Sequence, residues 1–201
     1  MDKYNTADIE TYIEFIRQNN KYISAVGEVG VDYNWITKSE DQLLSKNIFE
    51  KFIELSKQTD MPIVIHSRNG RENKEGSNEG IADAIEILRN DNCKDVMMHC
   101  FSGSEGQLKT CLSEEWIISF ATVICKSFKH QRLAKATPLE QMVLETDSPW
   151  LDPDSQPGSK ELTNRPWKIE KSAEIIANIK NIDKDEVLRV TEKNTRRFFR
   201  I

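Results

Sequence analysis

No stretch of this 201-residue chain carries the roughly 18 consecutive apolar residues that a membrane-crossing helix needs, and its start has no basic-then-apolar leader. Both absences point to a cytoplasmic protein that engages no membrane. A disulfide framework is missing as well: Cys93, Cys100, Cys111 and Cys125 show no CxxC spacing, so they read as buried free thiols. Nor is there an excess of positive charge. With 28 Lys+Arg against 33 Asp+Glu the net charge is −5, which argues against a protein that coats long nucleic-acid tracts. If such a chain acts on nucleic acid, it should grip a few phosphates locally, at an end or in a single strand. Repeats, low-complexity tracts and dividing linkers are absent too. Residues 1–201 therefore read as one domain, with the hydrophobic fraction (38%) of an ordinary globular protein.

What is present is an alternation. Compact apolar runs at 22–26, 61–65, 95–98, 116–120 and 142–144 lack period-two patterning, as strands buried on both faces of a parallel sheet do. Between them lie helical patterns at 7–18 (Ile9, Tyr12, Ile13, Ile16), 40–57 (Leu43, Leu44, Ile48, Phe52, Leu55), 80–89 (Ile81, Ala84, Ile85, Leu88) and 104–111. Strand and helix at this pace mean an α/β fold with right-handed crossovers. After Asp147 the pattern changes: Pro149, Pro153, Pro157 and Gly158 mark a long loop, and Asn164-Arg165-Pro166 has the form of a helix start. Two helices, 167–180 and 184–199, close the chain.

Four of the five runs lead, on their C-terminal side, into a metal-ligand type: Glu28, His66, His99 and Asp147. Parallel strands share a direction, so their C-terminal ends share the face where such folds keep their active sites. Singly, each residue has a plainer role: a hydrogen-bonded histidine, a turn-forming aspartate in Thr-Asp-Ser-Pro, a solvated glutamate. Yet two of the three histidines follow apolar runs, while His130 lies in a polar stretch and reads as a surface residue. Two imidazoles with two carboxylates suit one divalent ion, Zn²⁺ or Mn²⁺, or Mg²⁺ where carboxylate and water dominate.

Gly27-Glu28-Val29-Gly30-Val31-Asp32-Tyr33, Ile65-His66-Ser67-Arg68, His99-Cys100-Phe101-Ser102-Gly103 and Glu145-Thr146-Asp147-Ser148-Pro149 resemble, in order, the successive motifs of the TatD-related metal-dependent hydrolases. The ending Asn194-Thr195-Arg196-Arg197-Phe198-Phe199 is similar to that family's usual ending. The resemblance implies a TIM-type (β/α) barrel related to the amidohydrolases and a divalent-metal nuclease, commonly a deoxyribonuclease. It also implies that Glu28, His66, His99 and Asp147 match metal ligands. A family member normally opens with a His-x-His strand and has two further strands before the Gly-Glu motif. Here the residues before Glu28 hold one predicted helix and no histidine, so the motifs align with the last five strands of eight. One ion rather than two is then expected, along with open barrel edges that invite self-association.

A divalent ion lowers the pKa of a water it holds from about 15.7 toward 7–9, which makes a nucleophile available at neutral pH. Asp147 is the candidate general base, with Glu28 the second carboxylate of the catalytic set. Arg68, two residues beyond His66, is placed to hold a phosphate through its guanidinium fork. Asn164 is a weaker phosphate candidate at a helix start, where its other reading is a plain cap. Trp35, Phe101 and Trp150 follow the motifs and are candidates to stack a base. Two other readings stand beside the nuclease: a metal-dependent amide or ester hydrolase, for example one acting on aminoacyl-tRNA, and a non-catalytic remnant that needs a partner.

Overall fold

The computed structural model describes residues 6–71, 76–156 and 163–201. Five parallel strands follow one another in chain order: β1 (Val26–Asp32), β2 (Ile63–Arg68), β3 (Val96–Met98), β4 (Ile117–Phe120) and β5 (Met142–Leu144). Helices α2 (Ser39–Thr59), α3 (Gly80–Asn90), α4 (Glu105–Ser113) and α5 (Phe128–Ala136) join each strand to the next; α1 (Thr6–Asn19) precedes them, and α6 (Ile169–Lys180) and α7 (Lys184–Phe199) follow. This is the α/β class that the alternation predicts. No described helix is long and apolar enough to cross a membrane. The chain divides into two compact units, Met1–Val96 with Phe199–Ile201, and Met97–Phe198.

In the first unit, β1 and β2 pair in parallel, with Val29 beside Ile65, Gly30 beside His66 and Asp32 beside Arg68. Helix α2 ends on Asp60 in a left-handed conformation (φ 50°) and buries Phe49, Phe52, Ile53 and Leu55. The periodicity predicts a first strand at 22–26, but the strand begins at Val26. Tyr22 instead closes a short 3₁₀ turn and is exposed. Glycine is a poor strand former, so Gly27 and Gly30 hide this strand from pattern reading. Yet Gly30 is required there: its φ is +145°, and a Cβ would lie 2.0 Å from the His66 carbonyl oxygen. Burial on both faces, expected of every strand, fails here too. In β2, Ile63, Ile65 and Ser67 are buried, whereas Val64, His66 and Arg68 lie on the opposite, half-open face. Alongside β1 a cavity of about 540 Å³ opens between α1 and α2, lined by Ile9, Tyr12, Ile16, Phe49 and Phe52.

In the second unit, β3 and β4 are buried throughout, as expected of a central parallel sheet. Met97 and Met98 lie beside Ile117 and Ile118, and Ile118 and Phe120 lie beside Met142 and Leu144. Trp116, Ile118, Phe120, Met142, Ala173, Ile176 and Val187 form the core, each no more than 1% exposed. Ser104 and Gln107 close a capping box on α4. Helix α5 was not evident in the polar stretch around residue 130. Ser127 caps it, and Leu133 and Ala134 bury its inner face. His130 is consequently half-buried rather than on the surface, with Nδ1 2.7 Å from Ser127 Oγ. Burial, helped by Lys129, lowers its pKa. The Pro157-Gly158 part of the expected loop lies outside the described residues. All four cysteines are free thiols, and burial pushes Cys93 up to about 11 and Cys111 up to about 12.

Candidate metal centre

Strand alternation sets the cluster in the first unit. His66 and Arg68 stand two residues apart on one face of β2, and Asp32, the last residue of β1, faces Arg68 in register. Asp32 Oδ2 lies 2.9 Å from His66 Nε2 and 2.5 Å from Arg68 Nη2, while Arg68 Nε reaches both carboxylate oxygens at 3.0 and 3.1 Å. Burial alone would raise the Asp32 carboxyl, but the hydrogen bonds from His66 and Arg68 outweigh it and hold the group well below the usual carboxylate range. An ionised Asp32 can only accept, so His66 Nε2 carries the proton. In the neutral ring the Nδ1 lone pair then faces the Glu28 carboxylate, 3.7 Å from Oε2.

The second unit repeats the arrangement with the nitrogens exchanged. His99 follows β3 directly, and Glu145 and Asp147 follow β5. His99 Nδ1 is 2.7 Å from Glu145 Oε2. Glu145 Oε1 accepts the Cys100 N–H at 2.8 Å and the Ser119 hydroxyl. With Nδ1 so engaged, His99 Nε2 faces Asp147, 3.9 Å from Oδ1. Cys100 (φ 42°) and Asp147 (φ 54°) both sit in the left-handed region, where a non-glycine residue needs surroundings that hold it. For Asp147 those surroundings are visible. Asn164, fully buried, donates its side-chain amide to Thr122 Oγ1 (2.8 Å), Thr146 O (2.7 Å) and Trp150 O (2.6 Å), and Thr122 Oγ1 donates to Leu151 O at 2.7 Å.

Two sequence-based expectations change here. Asn164 is no phosphate contact, because its amide is spent inside the loop that carries Asp147. It is not the helix cap either, since Arg165 holds that position before the 3₁₀ turn Pro166–Lys168. Phe101 is 2% exposed and belongs to the core, whereas Trp35 (75%) and Trp150 (57%) remain in solvent. Asp32 and Glu145 lie within the motifs, yet their residue types alone assign them no role. The available signal was positional: each carboxylate stands within four residues of a candidate ligand on the same strand or strand end.

Each histidine therefore has one ring nitrogen held by a carboxylate and the other turned toward a second carboxylate. That is how proteins orient imidazole for a metal. The 3.7 and 3.9 Å gaps are too long for hydrogen bonds. They approach the ~3.4 Å between two atoms that each lie ~2.1 Å from one tetrahedral ion. In each half one imidazole nitrogen faces one carboxylate, donor types that suit a divalent cation.

The family model described as TatD related DNase matches residues 1–200. A relative from Methanocaldococcus jannaschii, the uncharacterized metal-dependent hydrolase MJ1582, is 35% identical over 96% of this chain and 69% of its own length. The human deoxyribonuclease TATDN3 is 30% identical over 96% of this chain and 65% of its own length. The chain thus spans about two thirds of these curated relatives. The crystal structure of YjjV, a TatD homolog from Escherichia coli, superposes on all of this chain and 73% of its own with a TM-score of 0.82 at 20% identity, which establishes the shared fold.

Proposed function

This chain belongs to the TatD-related DNase family, and we propose that it is a metal-dependent phosphodiester hydrolase, a deoxyribonuclease acting on single strands or ends. One observation carries the reading: the carboxylate–histidine–carboxylate arrangement occurs twice, once in each unit, near the C-terminal ends of parallel strands. Glu28, His66 through Nδ1, His99 through Nε2 and Asp147 would hold one ion, Zn²⁺, Mn²⁺ or Mg²⁺. Such an ion supplies charge for the phosphate oxygen and acidity for an attacking water. Asp147 would accept the proton of the water that attacks phosphorus, and Glu28 is the second carboxylate able to hold it. The sugar oxygen would depart as the P–O bond breaks and take a proton from the resulting carboxylic acid or from solvent. Arg68 offers a guanidinium already fixed by Asp32, so little side-chain freedom is lost when it grips a phosphate. The net charge of −5 favours this local grip over a long electrostatic track.

The test is cleavage of a single-stranded DNA oligonucleotide by the purified chain with Mg²⁺ or Mn²⁺, alongside a chelator control and the Asp147→Asn variant. Cleavage abolished by both controls is the expected result. A folded chain that leaves DNA intact yet hydrolyses an aminoacyl ester or an amide would move the function to acyl substrates. A chain that hydrolyses neither would leave the nuclease reading without support.

A further inference from the structure

A single exposed aromatic needs no explanation on a protein surface. Trp35 is different, because its surroundings are built. It lies three residues past the end of β1 and is 75% exposed, between two residues that are not: Tyr33 (1%) and Ile36 (6%). The Tyr33 hydroxyl donates to Asp83 Oδ2 at 2.6 Å, and the N–H groups of Trp35 and Ile36 both donate to Asp32 O, at 3.2 and 2.9 Å. The turn is pinned on both sides, and the indole is held out in solvent.

The Asp32 carboxylate does the rest. Besides His66 Nε2 and Arg68 it accepts the Asn34 N–H at 3.0 Å, so one carboxylate fixes a candidate ligand, a guanidinium and the turn that carries Trp35. The Arg68 guanidinium carbon lies 6.0 Å from the centre of the Trp35 ring. Arg68 spends its Nε–Nη2 edge on Asp32, so the Nη1–Nη2 edge is the one that can meet a phosphate. With the open indole beside it, this has the chemistry that takes a nucleotide: a π-face for the base and a guanidinium edge for the phosphate.

We infer that Trp35 and Arg68 form a nucleotide subsite beside the reacting phosphate, where the indole stacks an unpaired base and the guanidinium holds a phosphate of the same strand. The inference rests on the phosphodiester reading above and gives it a substrate form. Bases in an intact duplex are stacked on each other and cannot reach the indole, so single strands and frayed ends are the ligands.

Two measurements test it. In the metal-loaded enzyme, Trp35→Ala should raise KM for a thymidine oligonucleotide about fivefold or more, beyond any change for bis(p-nitrophenyl) phosphate, which has no base. Trp35→Phe should recover most of that difference. Oligonucleotide binding without turnover, followed by tryptophan fluorescence in chelator, should show quenching in the parent protein that Trp35→Phe largely removes, and weaker binding in Trp35→Ala. This second arm is independent of catalysis, so an inactive chain that still binds through Trp35 would separate failure of the hydrolase reading from failure of the subsite. Equal losses on both substrates, or oligonucleotide binding untouched by Trp35→Ala, would overturn the subsite.

Discussion

Replacing Glu145 by glutamine should weaken divalent-metal binding far more than it weakens the fold. Glu145 does three things: Oε2 holds His99 Nδ1, while Oε1 accepts the Cys100 N–H and the Ser119 hydroxyl. A glutamine can keep Oε1 on the last two, but it then turns an amide N–H toward His99. Nδ1 must become the acceptor, so the ring proton moves to Nε2, the nitrogen that faces Asp147. The lone pair meant for the ion is lost unless the ring reorganises. Partners that orient ligand histidines are worth roughly 10- to 100-fold in metal affinity, or about 1.4–2.7 kcal/mol. Glu145→Ala should add a folding defect of about 1–3 kcal/mol for each donor left without an acceptor. Competition with a chromophoric chelator measures the first effect and urea unfolding of the metal-free protein the second. If Glu145→Gln binds metal as tightly as the parent, the reasoning about His99 is refuted.

Three further outcomes follow from the same contacts. Asn164→Ala should lose about 1–3 kcal/mol in urea unfolding, because Trp150 O loses its side-chain donor while Thr146 O keeps the Thr122 hydroxyl. Asn164→Asp should not restore it, since a carboxylate would face those carbonyls. Phe101→Ala should lose about 3–5 kcal/mol in thermal or urea melts, as for any large core side chain, and should produce no selective rise in KM for oligonucleotides. Asp152 is held below the usual carboxylate range by hydrogen bonds from Lys168, Thr163 and the Asp154 N–H. A folded-state pKa below the unfolded value of about 3.9 means that its contribution is fully present above that pH and is lost as the pH falls toward the folded value. The parent should therefore lose stability more steeply than Asp152→Asn below about pH 4, and parallel acid limbs would contradict this.

The candidate ligands stood out in the sequence because they combine rare residue types with position. Histidines after Ile65 and Met98 stand out in a chain with three histidines, and each lies toward the C-terminal side of a strand, where parallel α/β folds keep their sites. The helices with clear apolar stripes were also legible, to within a few residues at each end. What failed did so where chain geometry overrides composition. The first strand was hidden because Gly27 and Gly30 are poor strand formers, although the close approach of Gly30 to His66 requires glycine. Helix α5 was hidden because it buries little beyond Leu133 and Ala134. Asn164 looked like a cap because Asn before Pro is a common helix start, and only the burial of its amide against Thr122, Thr146 and Trp150 shows its actual work. Asp32 and Glu145 stand within four residues of Glu28 and Asp147, but the histidine each one holds lies at a different strand, so that contact follows from the fold and not from spacing.

The most direct test of the account is a crystal grown or soaked with Mn²⁺, with the anomalous signal recorded at the manganese edge. The account predicts a peak ligated by Glu28, His66 Nδ1, His99 Nε2 and Asp147, with Asp32 and Glu145 still holding the opposite ring nitrogens. A peak bound through other residues or through the other nitrogens, or no peak in a protein that cleaves DNA in a Mn²⁺-dependent way, would contradict it.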